Sequence, residues 1–237
     1  MKDFINIADF SPEQLLGLLA RAIADKQLLR EGKLPATCAG KTLALIFEKP
    51  SLRTRVSFQA AMAQLGGAPI YLAESDIGLG TREPVADVAE VLGRMVDAVT
   101  ARTFAHETVE QLAAGTGVPV INALTDRSHP CQAMSDVMTA MEIFGDVGGM
   151  TWAFVGDGNN VAYSLAVLCG KLGMRLMLAC PPGYELDAEL AGPLPADAFV
   201  QTNDPASAVA DARVVYTDTW VSMGQDDEKA ERVAAFE

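Results

Sequence analysis

Short apolar runs and longer stretches of helical period take turns along this chain, and that alternation leaves few folds open. Thr42–Phe47, Ile70–Leu72, Ala98–Ala101 and Val118–Asn122 read as strands, with helices over Thr54–Leu65, Pro84–Met95 and Thr108–Ala114 between them. Ahead of them, Ser11-Pro12-Glu13 reads as an N-cap, a first-turn proline and an early acid opening a helix. A longer helix is expected from about Gln132 to Phe144, closed by Gly145. The pattern then restarts with strands at Thr151–Val155, Arg175–Ala179, Phe199–Thr202 and Val214–Thr217, and a helix over Asn160–Leu172. Strands alternating with helices form parallel sheets covered on both faces. The expected fold class is α/β, with two doubly wound parallel-sheet domains, 1–131 and 132–237, joined by the long helix.

Half of the 237 residues are hydrophobic, enough for two cores, while the net charge is −13. No Lys/Arg run interrupts the acidic background, which argues against nucleic acid and anionic membranes as partners. An anionic small molecule would then need a few well-placed arginines. The four cysteines show no CxxC spacing and the two histidines are unpaired in sequence, so neither a zinc site nor a disulfide framework is expected. With no signal-peptide pattern and no apolar run of membrane-spanning length, a cytoplasmic home is expected.

Four segments carry chemistry. In Ser51-Leu52-Arg53-Thr54-Arg55 a strand gives way to a helix, whose first turn offers free N–H groups beside two hydroxyls and two guanidinium groups. That combination is a phosphate cradle. His129-Pro130-Cys131-Gln132 follows a strand where α/β sheets place ligands; His129 can hydrogen-bond a carbonyl oxygen and Gln132 can accept from an N–H, while Cys131 reads as packing. Gly156-Asp157-Gly158-Asn159-Asn160 lies on a strand-to-helix turn and invites a dinucleotide reading. It lacks the third glycine, since Val161 stands there, and Cys180-Pro181-Pro182 follows the next strand where an acid would be needed. Asn160 reads equally as a substrate amide or a turn residue. Asp218, past the last strand, reads equally as a carboxylate for an amine or a capping Asp, with Ser222 nearby in sequence.

Together, Ser51–Arg55, His129-Pro-x-Gln132 and the strand–helix layout resemble the aspartate/ornithine carbamoyltransferase family. Asp218-x-x-x-Ser222-Met223-Gly224 and Phe154–Asn160 resemble its ornithine branch in particular. The resemblance runs along essentially the whole chain. It implies transfer of the carbamoyl group of carbamoyl phosphate to the δ-amine of L-ornithine, without metal or organic cofactor, in a homotrimer. It implies carbamoyl phosphate binding by Ser51, Leu52, Arg53, Thr54, Arg102, His129 and Gln132, with Arg53, Arg102 and His129 carrying the catalysis. Asn160, Asp218, Ser222 and Met223 match the ornithine-binding positions. Transferases for aspartate, putrescine or acylated ornithine are the near alternatives, and an NAD-dependent oxidoreductase built on the Gly156 turn the distant one.

Three departures accompany the resemblance. Leu52 stands where the family commonly has Thr. Gly78 stands where many members place a Gln that reaches a neighbouring subunit. The family's His-Cys-Leu-Pro loop, a later Arg and a closing helix would follow Glu237, so the chain is expected to be a fragment, with an exposed sheet edge in its second half.

Overall fold

The computed structural model describes residues 3–221 and 226–236. Two compact units emerge, one from Met1–Asp9 with Gly17–Cys131, the other from Phe10–Leu16 with Gln132–Glu237. Each carries a four-stranded sheet in which every pairing is parallel.

After α1 (Pro12–Arg30), the first unit runs β1 (Thr42–Phe47), α2 (Leu52–Gln64), β2 (Ala68–Ala73), α3 (Glu74–Ile77), α4 (Val85–Gly93), β3 (Ala98–Arg102), α5 (His106–Thr116) and β4 (Val120–Leu124). Its strand order is β2-β1-β3-β4. The β1 side chains split between two cores by the alternation of a strand. Leu43, Leu45 and Phe47 pack with Phe58 and Met62 of α2, whereas Ala44 and Ile46 pack with Val88 and Ala89 of α4 and Val109 and Leu112 of α5. Helices therefore cover both faces. The β4 edge is covered by Phe4, whose N–H donates to the Val120 carbonyl at 2.8 Å and whose carbonyl accepts from Asn122 N at 2.9 Å.

The second unit contains α6 (Pro130–Phe144) from Gln132 onward. It continues with β5 (Thr151–Val155), α7 (Asn160–Lys171), β6 (Arg175–Ala179), α8 (Ala188–Ala191), β7 (Phe199–Thr202), α9 (Pro205–Val209), β8 (Val214–Tyr216) and α10 (Lys229–Phe236). Its order is β7-β6-β5-β8. Ala153 and Ala179 face Ala208 and Val209 of α9. Trp152 and Phe154, adjacent to Ala153 along β5, are almost fully buried. Among the described residues β8 pairs only with β5, and Val215 is exposed.

Both sheets have a topological switch point. From β1 the chain moves outward to β2, then crosses back to β3 on the other side. From β5 it moves outward through β6 and β7, then crosses back to β8. Such reversals open a crevice beyond the carboxyl ends of the two diverging strands. In the first unit Ser51–Thr54 and Arg102 occupy the ends of β1 and β3. In the second, Asn159, Asn160 and Asp218 occupy the ends of β5 and β8.

Observed boundaries shift modestly from expectation. α2 starts at Leu52 because Ser51 supplies the cap, with its side chain accepting from Thr54 N. α6 starts at Pro130, whose missing N–H costs nothing in a first turn. Gly78 ends α3 in the left-handed conformation at φ 62°, where an added Cβ would lie 2.6 Å from Arg82 Cβ. The turn geometry explains glycine at that position.

Candidate functional site

In the first unit, β1 and β3 run side by side with Phe47 opposite Arg102, and Glu48 N donates to the Arg102 carbonyl at 2.9 Å. This register brings the start of α2 level with the end of β3. Ser51 is extended (φ −157°, ψ 118°), and its Oγ accepts from Thr54 N at 3.3 Å and donates to Thr54 Oγ1 at 3.0 Å. Among the described residues, no hydrogen bond takes the N–H of Leu52 or Arg53. Both remain available to an anion at the positive end of the helix. The Leu52 side chain is exposed, so what the residue offers an anion is its backbone N–H.

Arg102 is only 5% exposed, and its Nε has no hydrogen-bond partner. Burial weakens its ionisation, and the nearby Arg53 charge weakens it further. Guanidinium groups remain charged in proteins. Two cations are thus held near each other, one buried, which is an arrangement that a dianion would relieve. Arg55 takes a different direction, lying over the Tyr71 ring at 3.7 Å. The two arginines of the motif therefore part, Arg53 lying near Arg102 and Arg55 packing on Tyr71.

His129 is held neutral, its pKa pushed down to about 4 by burial and then by Arg102. A neutral imidazole still donates one N–H. Protonation of this ring in the unfolded chain, where its pKa is near 6.5, removes stability as pH falls from about 6.5 toward 4. Urea unfolding at pH 7.5 and 4.5 is expected to show the wild type losing about 2 kcal/mol more than His129→Gln over that interval. Equal losses would mean that the ring is not held neutral.

Lys49, next to the cradle, is 6% exposed, pairs with Asp126 and sits 4.4 Å from the Phe104 ring centroid. Glu48 accepts from Phe104 N at 2.8 Å. These contacts tie the end of β1 to the loops after β3 and β4, a brace that the motif gives no hint of. His106 is a packing histidine, with Nδ1 2.9 Å from Thr125 Oγ1. The Cys131 thiol donates to the Asn122 carbonyl at 3.3 Å, and burial pushes its pKa to about 12, so it is a packing thiol.

In the second unit, Asn159 caps α7. Its Oδ1 accepts from Val161 N at 2.9 Å and Ala162 N at 3.1 Å, and its Nδ2 donates to Asp218 Oδ2 at 3.3 Å. Asp218 Oδ1 accepts from Thr219 N at 2.7 Å. Asn160 is the first residue of α7, beside this pair, and is half-buried. The bridging Asn159 was missed by sequence reasoning, although an Asn immediately before an apolar helical period is a cap signal. On α6, Gln132 Nε2 donates to Asp136 Oδ1 at 2.8 Å. Tyr216 lies against that carboxyl, and burial followed by the Asp218 charge pushes Asp136 up to about 6. The Asp218, Asn160 and Gln132 positions thus fall within one unit. Ser222 and Met223 lie outside the described residues.

Gly158 settles the alternative use of the glycine turn. A Cβ there would lie 2.3 Å from Leu186 N and 2.5 Å from Glu185 C, and Gly158 N donates to the Tyr184 carbonyl at 2.8 Å. The glycine admits the protein's own backbone, filling the space that a pyrophosphate would need. Asp157 pairs with Arg232 of α10 at 3.0 Å. Among the described residues no three His, Cys, Asp or Glu side chains group as metal ligands, and no helix is long and apolar enough to cross a membrane.

Comparison with known proteins agrees with this layout. Residues 2–142 match the aspartate/ornithine carbamoyltransferase carbamoyl-P binding domain, and residues 148–237 match the Asp/Orn binding domain of the same family. Ornithine carbamoyltransferase of Bacillus subtilis is 48% identical, the match covering 99% of this chain and 74% of that protein. The anabolic ornithine carbamoyltransferase of Pseudomonas aeruginosa is 45% identical over 100% of this chain and 77% of its own length. The solved ornithine carbamoyltransferase of Pyrococcus furiosus superposes with a TM-score of 0.95 at 46% identity, covering 99% of this chain and 77% of that one. The chain belongs to the aspartate/ornithine carbamoyltransferase family.

Proposed function

We propose that this chain transfers the carbamoyl group of carbamoyl phosphate to the δ-amine of L-ornithine, giving L-citrulline and phosphate, as a step of arginine biosynthesis. The observation that carries the donor half is the uncompensated pair Arg53 and Arg102 beside the capped start of α2. The acceptor half is supported by Asp218, a carboxylate beyond β8 with Asn160 nearby, suited to an α-amino group.

In this reading residues 1–131 hold carbamoyl phosphate and 132–237 hold ornithine. Ser51, the Leu52 N–H, Arg53 and Thr54 bind the phosphate, while Arg102 and His129 donate to the carbamoyl oxygen. The neutral δ-amine attacks the carbonyl carbon, a C–N bond forms and the oxygen gains negative charge. The C–O bond to phosphate then breaks, the nitrogen passes its proton to the departing phosphate, and phosphate leaves into the Arg53 cradle. His129 donates as a neutral ring, so it stabilises the oxyanion without adding a third positive charge. Gln132 accepts from the carbamoyl –NH2. Asn160, Asp218, Ser222 and Met223 hold ornithine. Holding both substrates in attack geometry supplies much of the acceleration.

The family resemblance supports a homotrimer, and Leu52 and Val56 leave exposed apolar surface on α2 for a subunit contact. A cytoplasmic setting completes this reading. Incubation of the 237-residue chain with carbamoyl phosphate and L-ornithine is expected to yield citrulline well above an Arg53→Ala control. L-aspartate and putrescine in parallel are expected to yield nothing. Product from either alternative acceptor, or a chain that neither makes citrulline nor binds carbamoyl phosphate, would sink this reading.

A further inference from the structure

Gln132 and Asp136 stand four residues apart on α6, which puts their side chains on one face of the helix. Gln132 Nε2 donates to Asp136 Oδ1 at 2.8 Å. A glutamine amide has one accepting end and one donating end, and the two are close to isosteric. Nothing in its shape decides which end faces a ligand. Its hydrogen-bond partner decides. An ionised carboxylate only accepts, so the –NH2 of Gln132 turns toward Asp136 and its carbonyl oxygen turns away.

We propose that Asp136 is a positioning residue that fixes the Gln132 amide with its oxygen toward the carbamoyl group, so that the site selects a donor bearing –NH2 over one bearing a methyl. The inference rests on the reading of Gln132 as the acceptor for the carbamoyl nitrogen. Carbamoyl phosphate presents two N–H donors where acetyl phosphate presents a methyl group. With the amide held by Asp136, carbamoyl phosphate finds an acceptor and acetyl phosphate leaves that oxygen unpaired. With the amide reversed, two –NH2 groups face each other. A group left unpaired in a desolvated site is what gives discrimination its size.

The groups that act on Asp136 come from two elements. Gln132 reaches it along α6, and the Tyr216 hydroxyl approaches from β8, with Asp218 just beyond that strand. Burial and the Asp218 charge raise the Asp136 carboxyl to about 6, against the Gln132 and Tyr216 contacts that lower it. Below that pH the carboxyl gains an O–H and can donate to the Gln132 oxygen, which releases the amide to turn. Discrimination therefore fails from the acid side. Asp218 also couples the two halves of the reaction: a substrate ammonium neutralising Asp218 lowers the Asp136 pKa and firms the amide.

The test is the ratio of dissociation constants for acetyl phosphate and carbamoyl phosphate on the 237-residue chain, with inorganic phosphate as a third ligand. The two acyl phosphates ionise alike, so their ratio cancels the ligands' own titration. In the wild type the ratio is expected to fall between pH 7.5 and pH 5. Asp136→Asn, which can present either end of its own amide, is expected to lower the pH 7.5 ratio on the order of tenfold and to abolish its pH dependence, with phosphate affinity unchanged. Gln132→Ala is expected to lower the ratio equally, and the double variant no further. A ratio preserved in Asp136→Asn, additive losses in the double variant, or equal weakening of all three ligands would each overturn the proposal. The wild-type pH arm needs no variant, so a poorly folding substitution leaves the question decidable. If the wild type makes citrulline and prefers carbamoyl phosphate, yet Asp136→Asn keeps that preference, only this inference fails. No preference in the wild type overturns it together with the reading of Gln132.

Discussion

Arg102→Met is expected to lower kcat/KM by about a thousandfold or more while raising the melting temperature of the first unit. On the proposed reading, the activity loss follows from removing a charged donor to the developing oxyanion, a contribution typically worth roughly a hundred- to a thousandfold for one neutral donor and more for a charged one. The gain in stability follows from the same burial. Arg102 is 5% exposed, its Nε is unpartnered, and the neighbouring charge that acts on it is Arg53, of like sign. A buried ion without a counter-ion costs several kcal/mol, and a hydrophobic side chain of similar length removes that cost. Natural sites keep such groups at the expense of stability. Each kcal/mol recovered moves the melting temperature by roughly 2–4 °C in a chain of this size. The two readouts separate function from scaffold: a variant that is both inactive and less stable would show that Arg102 supports the fold, contrary to the geometry. Inorganic phosphate supplies a third check. It should stabilise the wild type in proportion to its occupancy of the cradle and stabilise Arg102→Met far less.

In sequence this buried cation was named only through the family resemblance, whereas the cradle of α2 and His129 could be read from the residues themselves. Parallel strands buried on both faces read as unbroken apolar runs, and β1 from Leu43 to Phe47 is nowhere more than 4% exposed. A polar residue just past such a run stands out, and Ser51, Arg53 and His129 all do. The four-residue helices α3 and α8 leave no period to detect, so sequence missed them. The second unit was harder to read for a different reason. Asp136 looks like any acid on a solvated helix face, and Tyr216 looks like a core residue of a strand. Their meeting depends on the chain crossing from β7 back past β6 and β5 to β8, and composition carries no trace of that crossing. Asn159 was overshadowed by Asn160, although it is Asn159 that ties Asp218 to the start of α7. Lys49, in plain view between Glu48 and Pro50, reads as a surface lysine until Asp126 and Phe104 are seen to hold it.

Gly158→Ala is expected to destabilise the second unit by about 3 kcal/mol and to raise the KM for ornithine more than that for carbamoyl phosphate. Sequence places this glycine in a turn that resembles a nucleotide-binding loop, where a missing side chain would make room for a phosphate. In the structure the room is taken by the segment Tyr184–Leu186. The new methyl would lie 2.3 Å from Leu186 N and 2.8 Å from Glu185 O, both backbone atoms that no rotamer change can move aside. The Gly158 N–H bond to the Tyr184 carbonyl, at 2.8 Å, would be strained at the same time. Either the 184–186 segment retreats or the 156–160 turn does. If the segment retreats, Tyr184 loses its edge-on contact with Phe236, 4.9 Å between ring centroids, and α10 loosens with it. If the turn retreats, Asn159 pulls away from Asp218 and the carboxylate loses its 3.3 Å tether. Both routes disturb the acceptor side and leave Ser51, Arg53 and Arg102, which belong to the other unit, untouched. Denaturant unfolding followed at Trp152 and Trp220 reads the first effect, and steady-state kinetics with each substrate varied in turn reads the second. A Gly158→Ala chain with wild-type stability would mean that the 184–186 segment does not sit against the turn. A chain whose two KM values rose together would mean that the turn serves both substrates, contrary to its place at the switch point of the second sheet.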